Sequence, residues 1–261
     1  MSGRCLVIGV VLWALAAPAG ADDGDQPPAP VRLRFMPRYD FHISADHLST
    51  DDVRFVWDAN FGGEVDVVDY GFGRATFTGN FETVLGNQFR NFDPNQGNYL
   101  LDSSLSWRGR GTEVAALFHH TSRHLSDRFN RSSVAWNMLG ARVQHDIATR
   151  KAVIQLRGDL RGALLKNHVD YNWETGGDVR VAVPLRPALS FITSGHLQLI
   201  GVDGSQQRGT QTGSRAEAGV RFAGEKGAIE LIVAAERRID PYPLEFSTLN
   251  WVSAGFRFVS R

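Results

Sequence analysis

Ile154-Gln155-Leu156-Arg157-Gly158-Asp159-Leu160-Arg161 alternates residue by residue between apolar or small side chains and polar or charged ones. Strand side chains repeat every two residues, so this octet reads as a strand with one apolar and one charged face. Three more segments behave alike. Leu101, Ser103, Leu105 and Trp107 oppose Asp102, Ser104, Ser106 and Arg108. Ala216, Ala218, Val220 and Phe222 oppose Arg215, Glu217 and Arg221. Ile229, Leu231 and Val233 oppose Glu230, with Glu236 and Arg238 further along the polar row. No helix-period segment of useful length follows the amino-terminal region. The chain is therefore all-β.

Working outward, the connections alternate in length. Short turns fall near residues 108–112, 147–151, 185–188 and 224–227. Longer polar loops fall near 86–98, 123–134, 203–212 and 240–249, while the connection near 165–168 is short where a long one is expected. Outer-membrane barrels combine short periplasmic turns with longer external loops. The pattern predicts about twelve antiparallel strands, near residues 33–43, 53–69, 74–85, 98–108, 112–121, 135–147, 151–163, 169–184, 189–202, 213–222, 228–239 and 250–259. Asn60-Phe61-Gly62-Gly63 interrupts the second of these. An even count puts both ends of the barrel chain in the periplasm. The last strand, with Val252, Ala254, Phe256 and Phe258 alternating, is similar to the terminal aromatic strand of outer-membrane barrels, although Val259-Ser260-Arg261 follow it.

A soluble sandwich would also alternate, with its charges on an ordinary solvated surface. The polar rows here carry both signs: Arg157, Asp159, Arg161, Arg215, Glu217, Arg221, Glu230 and Glu236. In a narrow membrane barrel such charges pair and fill the lumen. Loop alternation, the terminal strand and a secretory start favour the barrel. That start is Arg4 followed by an apolar run over residues 5–17, too short to span a bilayer of roughly 30 Å as a helix. Ala17-Pro18-Ala19 and Ala19-Gly20-Ala21 both fit small-x-small cleavage sites, so residues 1–21 read as a signal peptide and 22–31 (DDGDQPPAP through residue 30) as a periplasmic leader. The barrel then occupies 32–261, in the bacterial outer membrane.

The sole cysteine, Cys5, lies in the signal segment, so the mature chain has no thiol, disulfide or cysteine metal ligand. With 28 basic and 28 acidic residues, formal charge is balanced and nothing points to nucleic acid. Trp107, Trp136 and Trp251 suit an interfacial aromatic girdle.

The stretch from Val114 to Asn137 carries the chemistry. Val114, Ala116 and Phe118 share one strand face, and His120 and Ser122 continue it. Asn137, Leu139, Ala141 and Val143 form the facing row of the next strand. Histidine, serine and asparagine thus share the apolar, lipid-facing wall near its external end. Nucleophile, base and orienting group is a catalytic arrangement. His119 points the other way, into the lumen, as a hydrogen-bonded interior residue.

These residues resemble the outer-membrane phospholipase A family, twelve-stranded barrels with His-x-Ser closing an outgoing strand and Trp-Asn opening the next. The matches are His120-Thr121-Ser122 and Trp136-Asn137. The resemblance implies Ser122 as nucleophile, His120 as base and Asn137 as the group holding the imidazole. It also implies calcium as a cofactor, with Ser133 where the family places a calcium-site serine. The family continues Asn-Gly after the serine, whereas this chain has Arg123-His124 and a slightly longer loop, departures that fall on the parts of the pattern concerned with calcium binding and oxyanion stabilisation. A second resemblance, over roughly residues 63–143, is to outer-membrane proteins with a His-x-Ser-x-His-Leu-x-Asp signature, here His120 to Asp127. It brings no activity.

The expected function is phospholipid acyl hydrolysis at Ser122, His120 and Asn137. Expected partners are membrane phospholipid or lipopolysaccharide, and a second copy of the barrel. His120, His124 and Asp127 form a competing metal set without a full ligand complement. The alternatives are a non-enzymatic barrel, structural or partner-binding, in which the polar groups merely enter the headgroup zone, and a narrow pore.

Overall fold

The computed structural model describes residues 32–126 and 134–260. The expected signal peptide and leader lie outside these residues. Among the described residues there is no helix, and the strands are β1 (Arg34–Phe35), β2 (Tyr39–Leu48), β3 (Trp57–Asp69), β4 (Arg74–Gly86), β5 (Asp93–Gly109), β6 (Thr112–Leu125), β7 (Val134–Ala148), β8 (Val153–Asn167), β9 (Tyr171–Arg186), β10 (Leu189–Val202), β11 (Gln211–Ala223), β12 (Gly227–Ile239) and β13 (Thr248–Ser260). From β2 onward each strand pairs antiparallel with the next, and β13 returns to β2 with Ser253 opposite Leu48 and Val259 opposite His42. The result is a closed twelve-stranded barrel, with β1 a short addition beside β3. Closure leaves no unpaired edge, which a lipid environment requires because hydrocarbon offers the backbone no hydrogen bonds.

Side-chain exposure follows the alternation. On β8 and β12, Leu156, Leu160, Ile229, Leu231 and Val233 are exposed on the outer wall, whereas Glu230 is fully enclosed. The outer wall is apolar because lipid is its solvent.

Three details depart from the sequence reading. The first barrel strand is Tyr39–Leu48, not 33–43; Leu33 and Phe35 mimic strand alternation but belong to the two-residue β1 region. Asn60–Gly63 does not interrupt β3, since Phe61, Gly62 and Gly63 keep register with Phe81, Asn80 and Gly79. Trp136 and Trp251 are not girdle residues. Both are buried, Trp136 against Tyr171 and Trp251 against Phe55. Only Trp107 of the three is exposed.

The lumen is laced with ion pairs. The Glu230 carboxylate meets Arg180, Arg221 and Arg257. Arg215 bridges Asp46, Glu217 and Glu236, each at 2.7 Å. Arg238 links Asp58, Glu82 and Glu236. Buried charge is tolerated only when paired and hydrogen-bonded, and arginine suits this through its five donors. A polar cavity of about 1870 Å³ remains between the networks, reaching the Arg108–Thr112 turn region at the short-turn end.

The opposite end is packed. Val134, Trp136, Met138, Tyr171, Ile200 and Ile239 form one buried apolar cluster there, and Leu48, Phe55, Val84 and Trp251 form a second. The segment 240–247 folds inward at this end. Arg123 donates to the carbonyls of Asp240 (2.6 Å) and Pro241 (2.9 Å), and Gln96 donates to Pro241 at 2.7 Å. Arg208 joins Asp170 (2.6 Å) to Asp240 (2.7 Å) and lies 4.6 Å from the Phe246 ring centre.

Candidate functional site on the outer wall

Strand β6 delivers the site because its even-numbered residues face outward near the long-loop end. Val114 and Phe118 are exposed on this row and His120 and Ser122 are half-buried, while Leu117, His119 and Thr121 on the other row are buried. On β7 the odd row faces out: Asn137 is half-buried and Leu139 and Val143 are exposed. His120 and Asn137 are direct cross-strand partners.

Their side chains meet. His120 Nδ1 lies 2.6 Å from Asn137 Oδ1. A carboxamide oxygen only accepts, so in this orientation Nδ1 carries the proton and Nε2 presents its lone pair outward. A register shift between β7 and β8 falls next to this pair, between Asn137 and Met138, with Asn137 opposite Leu165 and Met138 opposite Ala163. Such irregularities re-aim side chains, and here consecutive Leu164 and Leu165 are both exposed beside the asparagine.

Ser122 does not join His120 in this arrangement. Its Oγ lies 3.2 Å from Nε2 of His124, the next residue on the same row. Tyr99, opposite Ser122 on β5, stacks edge-on against His124 with centroids 5.6 Å apart, and Phe81 packs on Tyr99 at 5.0 Å. His124, expected as a metal candidate and as part of the outer-membrane signature, lies on the row of His120 and Ser122, as its even number implies.

His119 is held inside as expected, by Asp102 at 2.6 Å and Thr121 at 2.8 Å, and Arg142 reaches the second Asp102 oxygen at 2.6 Å. Asp127 and Ser133 lie outside the described residues. Among the described residues no group of three or more His, Cys, Asp or Glu side chains is arranged to hold a metal.

No family model matches the chain, and no curated protein matches it in sequence. Solved structures do. Outer membrane phospholipase A from Escherichia coli aligns with a TM-score of 0.51 at 12% identity, covering 85% of this chain and 92% of that one. The Salmonella typhi outer membrane phospholipase, a dimer with bound calcium, gives 0.51 at 13% identity, covering 89% and 93%. An outer membrane channel from Pseudomonas putida F1 gives 0.51 at 14% identity, covering 92% and 99%. This chain is an outer-membrane β-barrel. At such identities the likeness is one of fold, shared by hydrolase and channel alike, and the barrel places the chain in the bacterial outer membrane.

Proposed function

We propose that this barrel is a serine-type acyl hydrolase acting on phospholipid in the outer membrane. One observation carries the reading: the 2.6 Å His120–Asn137 hydrogen bond on the lipid-facing wall, with a serine two residues along the same row. Two polar side chains joined on the lipid-facing wall need a reason, and a base held in one tautomer supplies it.

In this mechanism Ser122 gives up its hydroxyl proton to His120 Nε2 as its Oγ bonds to the ester carbonyl carbon. The tetrahedral adduct collapses, the ester C–O bond breaks and the His120 proton goes to the leaving alcohol. Water then repeats the sequence on the acyl-serine, returning the fatty acid and free enzyme. Asn137 keeps Nδ1 protonated throughout. No step is assigned to calcium, because the described residues offer no acidic cluster to hold it and Ser133 lies outside them. Pairing of two barrels through this wall belongs to the same reading, since a second copy would shut water away from Ser122.

The packed mouth at the long-loop end supports this reading over the pore, which needs a continuous path. The test is fatty-acid release from phospholipid by refolded protein in detergent. Wild type should release acid and Ser122→Ala should not; equal background rates would remove the hydrolase reading and leave a non-enzymatic barrel.

A further inference from the structure

The reacting oxyanion needs a donor, and the β6 backbone beside Ser122 is poorly placed to give one. Ser122 pairs with Tyr99 on one side and Ala135 on the other, and Arg123 pairs with Asn98 and Val134. Backbone groups committed to two ladders cannot also serve a tetrahedral intermediate. A side-chain donor is available instead. His124 Nε2 stands 3.2 Å from Ser122 Oγ, its ring braced edge-on by Tyr99.

We propose that His124 is the oxyanion donor of this site, a role distinct from that of His120. The inference rests on the hydrolase reading and deepens it. The division of labour follows from tautomers. His120 has its Nδ1 proton engaged by Asn137 and offers Nε2 as an acceptor, so it is the base. The proposal gives His124 the tautomer with its hydrogen on Nε2, directed at the serine oxygen 3.2 Å away, which leaves the serine's own proton free to move to His120. When Oγ bonds to the carbonyl carbon, the oxygen on that same carbon becomes negative, and the Nε2–H of His124 transfers its hydrogen bond to it. Collapse of the adduct restores the carbonyl and returns His124 to its starting contact. A preorganised donor of this kind acts on the transition state, not on the bound ester.

This role also accounts for the aromatic row leading to the site. Phe61, Phe81, Tyr99 and Ser122 follow one another across β3, β4, β5 and β6 in direct register. Tyr99 therefore braces both the nucleophile's flank and the imidazole beside it.

The test compares His124→Ala, His124→Gln and His120→Ala with wild type in detergent micelles containing a defined phosphatidylcholine. Barrel folding is checked by heat-dependent gel mobility. His124→Ala should lower kcat about 100-fold with KM unchanged, the size of a lost oxyanion donor. His124→Gln, which keeps an N–H, should recover most of that loss. His124→Ala at wild-type kcat, or a glutamine variant as impaired as the alanine, would overturn the assignment while leaving the Ser122 hydrolase intact. A wild type that releases no fatty acid would overturn both, so the two failures are distinct.

Discussion

His120 and Asn137 sit directly opposite one another in the β6–β7 ladder, and their side chains close a 2.6 Å hydrogen bond on the outer wall. Cross-strand pairs in adjacent antiparallel strands hold their Cβ atoms about 4.5–5.5 Å apart, so the barrel itself fixes this geometry and no loop has to. A site on two strands is held more firmly than one on loops.

The first prediction concerns that bond. Asn137→Ala should leave the barrel folded but cut kcat by about a hundredfold, because the imidazole loses the partner that selects its tautomer. Phospholipid hydrolysis, with fluorophosphonate labelling of Ser122 as a second readout, measures it. Unchanged turnover would separate Asn137 from the chemistry.

The second concerns the lumen. Glu230 is the fully enclosed carboxylate on which Arg180, Arg221 and Arg257 converge. Glu230→Ala leaves three guanidiniums facing one another, and breaking a buried pair costs about 3–5 kcal/mol. Urea unfolding in lipid vesicles should show a lower midpoint for this variant. Glu217→Gln should cost less, because Glu217 shares its two cations, Arg215 and Arg257, with other carboxylates.

The third concerns the long-loop end. Wild-type protein in a planar bilayer should give no steady current, since the apolar cluster around Trp136 and Tyr171 packs the same end as the inward-folded 240–247 segment. Deleting residues 242–246 together with Trp136→Gly and Tyr171→Ala should open a measurable conductance. A steady wild-type current would restore the pore reading.

The fourth is a pH effect in the loop between β2 and β3. Hydrogen bonding from the Arg54 side chain holds the Asp52 carboxyl below its ordinary value of 3.8. A carboxyl depressed in the folded state stabilises it above the unfolded value, and that contribution disappears as pH falls through the folded value. Amide exchange of residues 50–56 should therefore speed up below about pH 4 in excess of the intrinsic pH effect. Asp52→Asn should abolish that excess. The effect is small because a partly exposed pair of this kind contributes little.

The strands were legible because lipid and lumen make opposite demands on successive residues, and alternation records both. Alternation does not say how far a strand extends once the demand weakens. Leu33 and Phe35 therefore passed for the opening of a barrel strand that begins at Tyr39. It also cannot say that an interior position is apolar. Trp136 and Trp251 looked like interface anchors, yet they fill the lumen's outer end, where inward-facing aromatics replace charge. The His120–Asn137 partnership was readable, since both its rows could be traced from neighbouring apolar residues. The Ser122–His124 contact was half-readable: the shared row was visible, but the serine's choice between two imidazoles depends on rotamers that no periodicity encodes. The inward fold of segment 240–247 left no trace, because loops carry no repeat.

The seam between β2 and β13 joins strands some two hundred residues apart in the chain, with Val259 opposite His42. Until β13 is in place, β2 is held by β3 along one edge only, and the polar backbone of its other edge is open to stray pairing. Completion is thus a late, long-range event, slow by the rule that distant contacts form last. The unfinished sheet needs an escort that covers its free margins, and a truncation at the carboxyl end should be more damaging to biogenesis than one of equal length in any long loop.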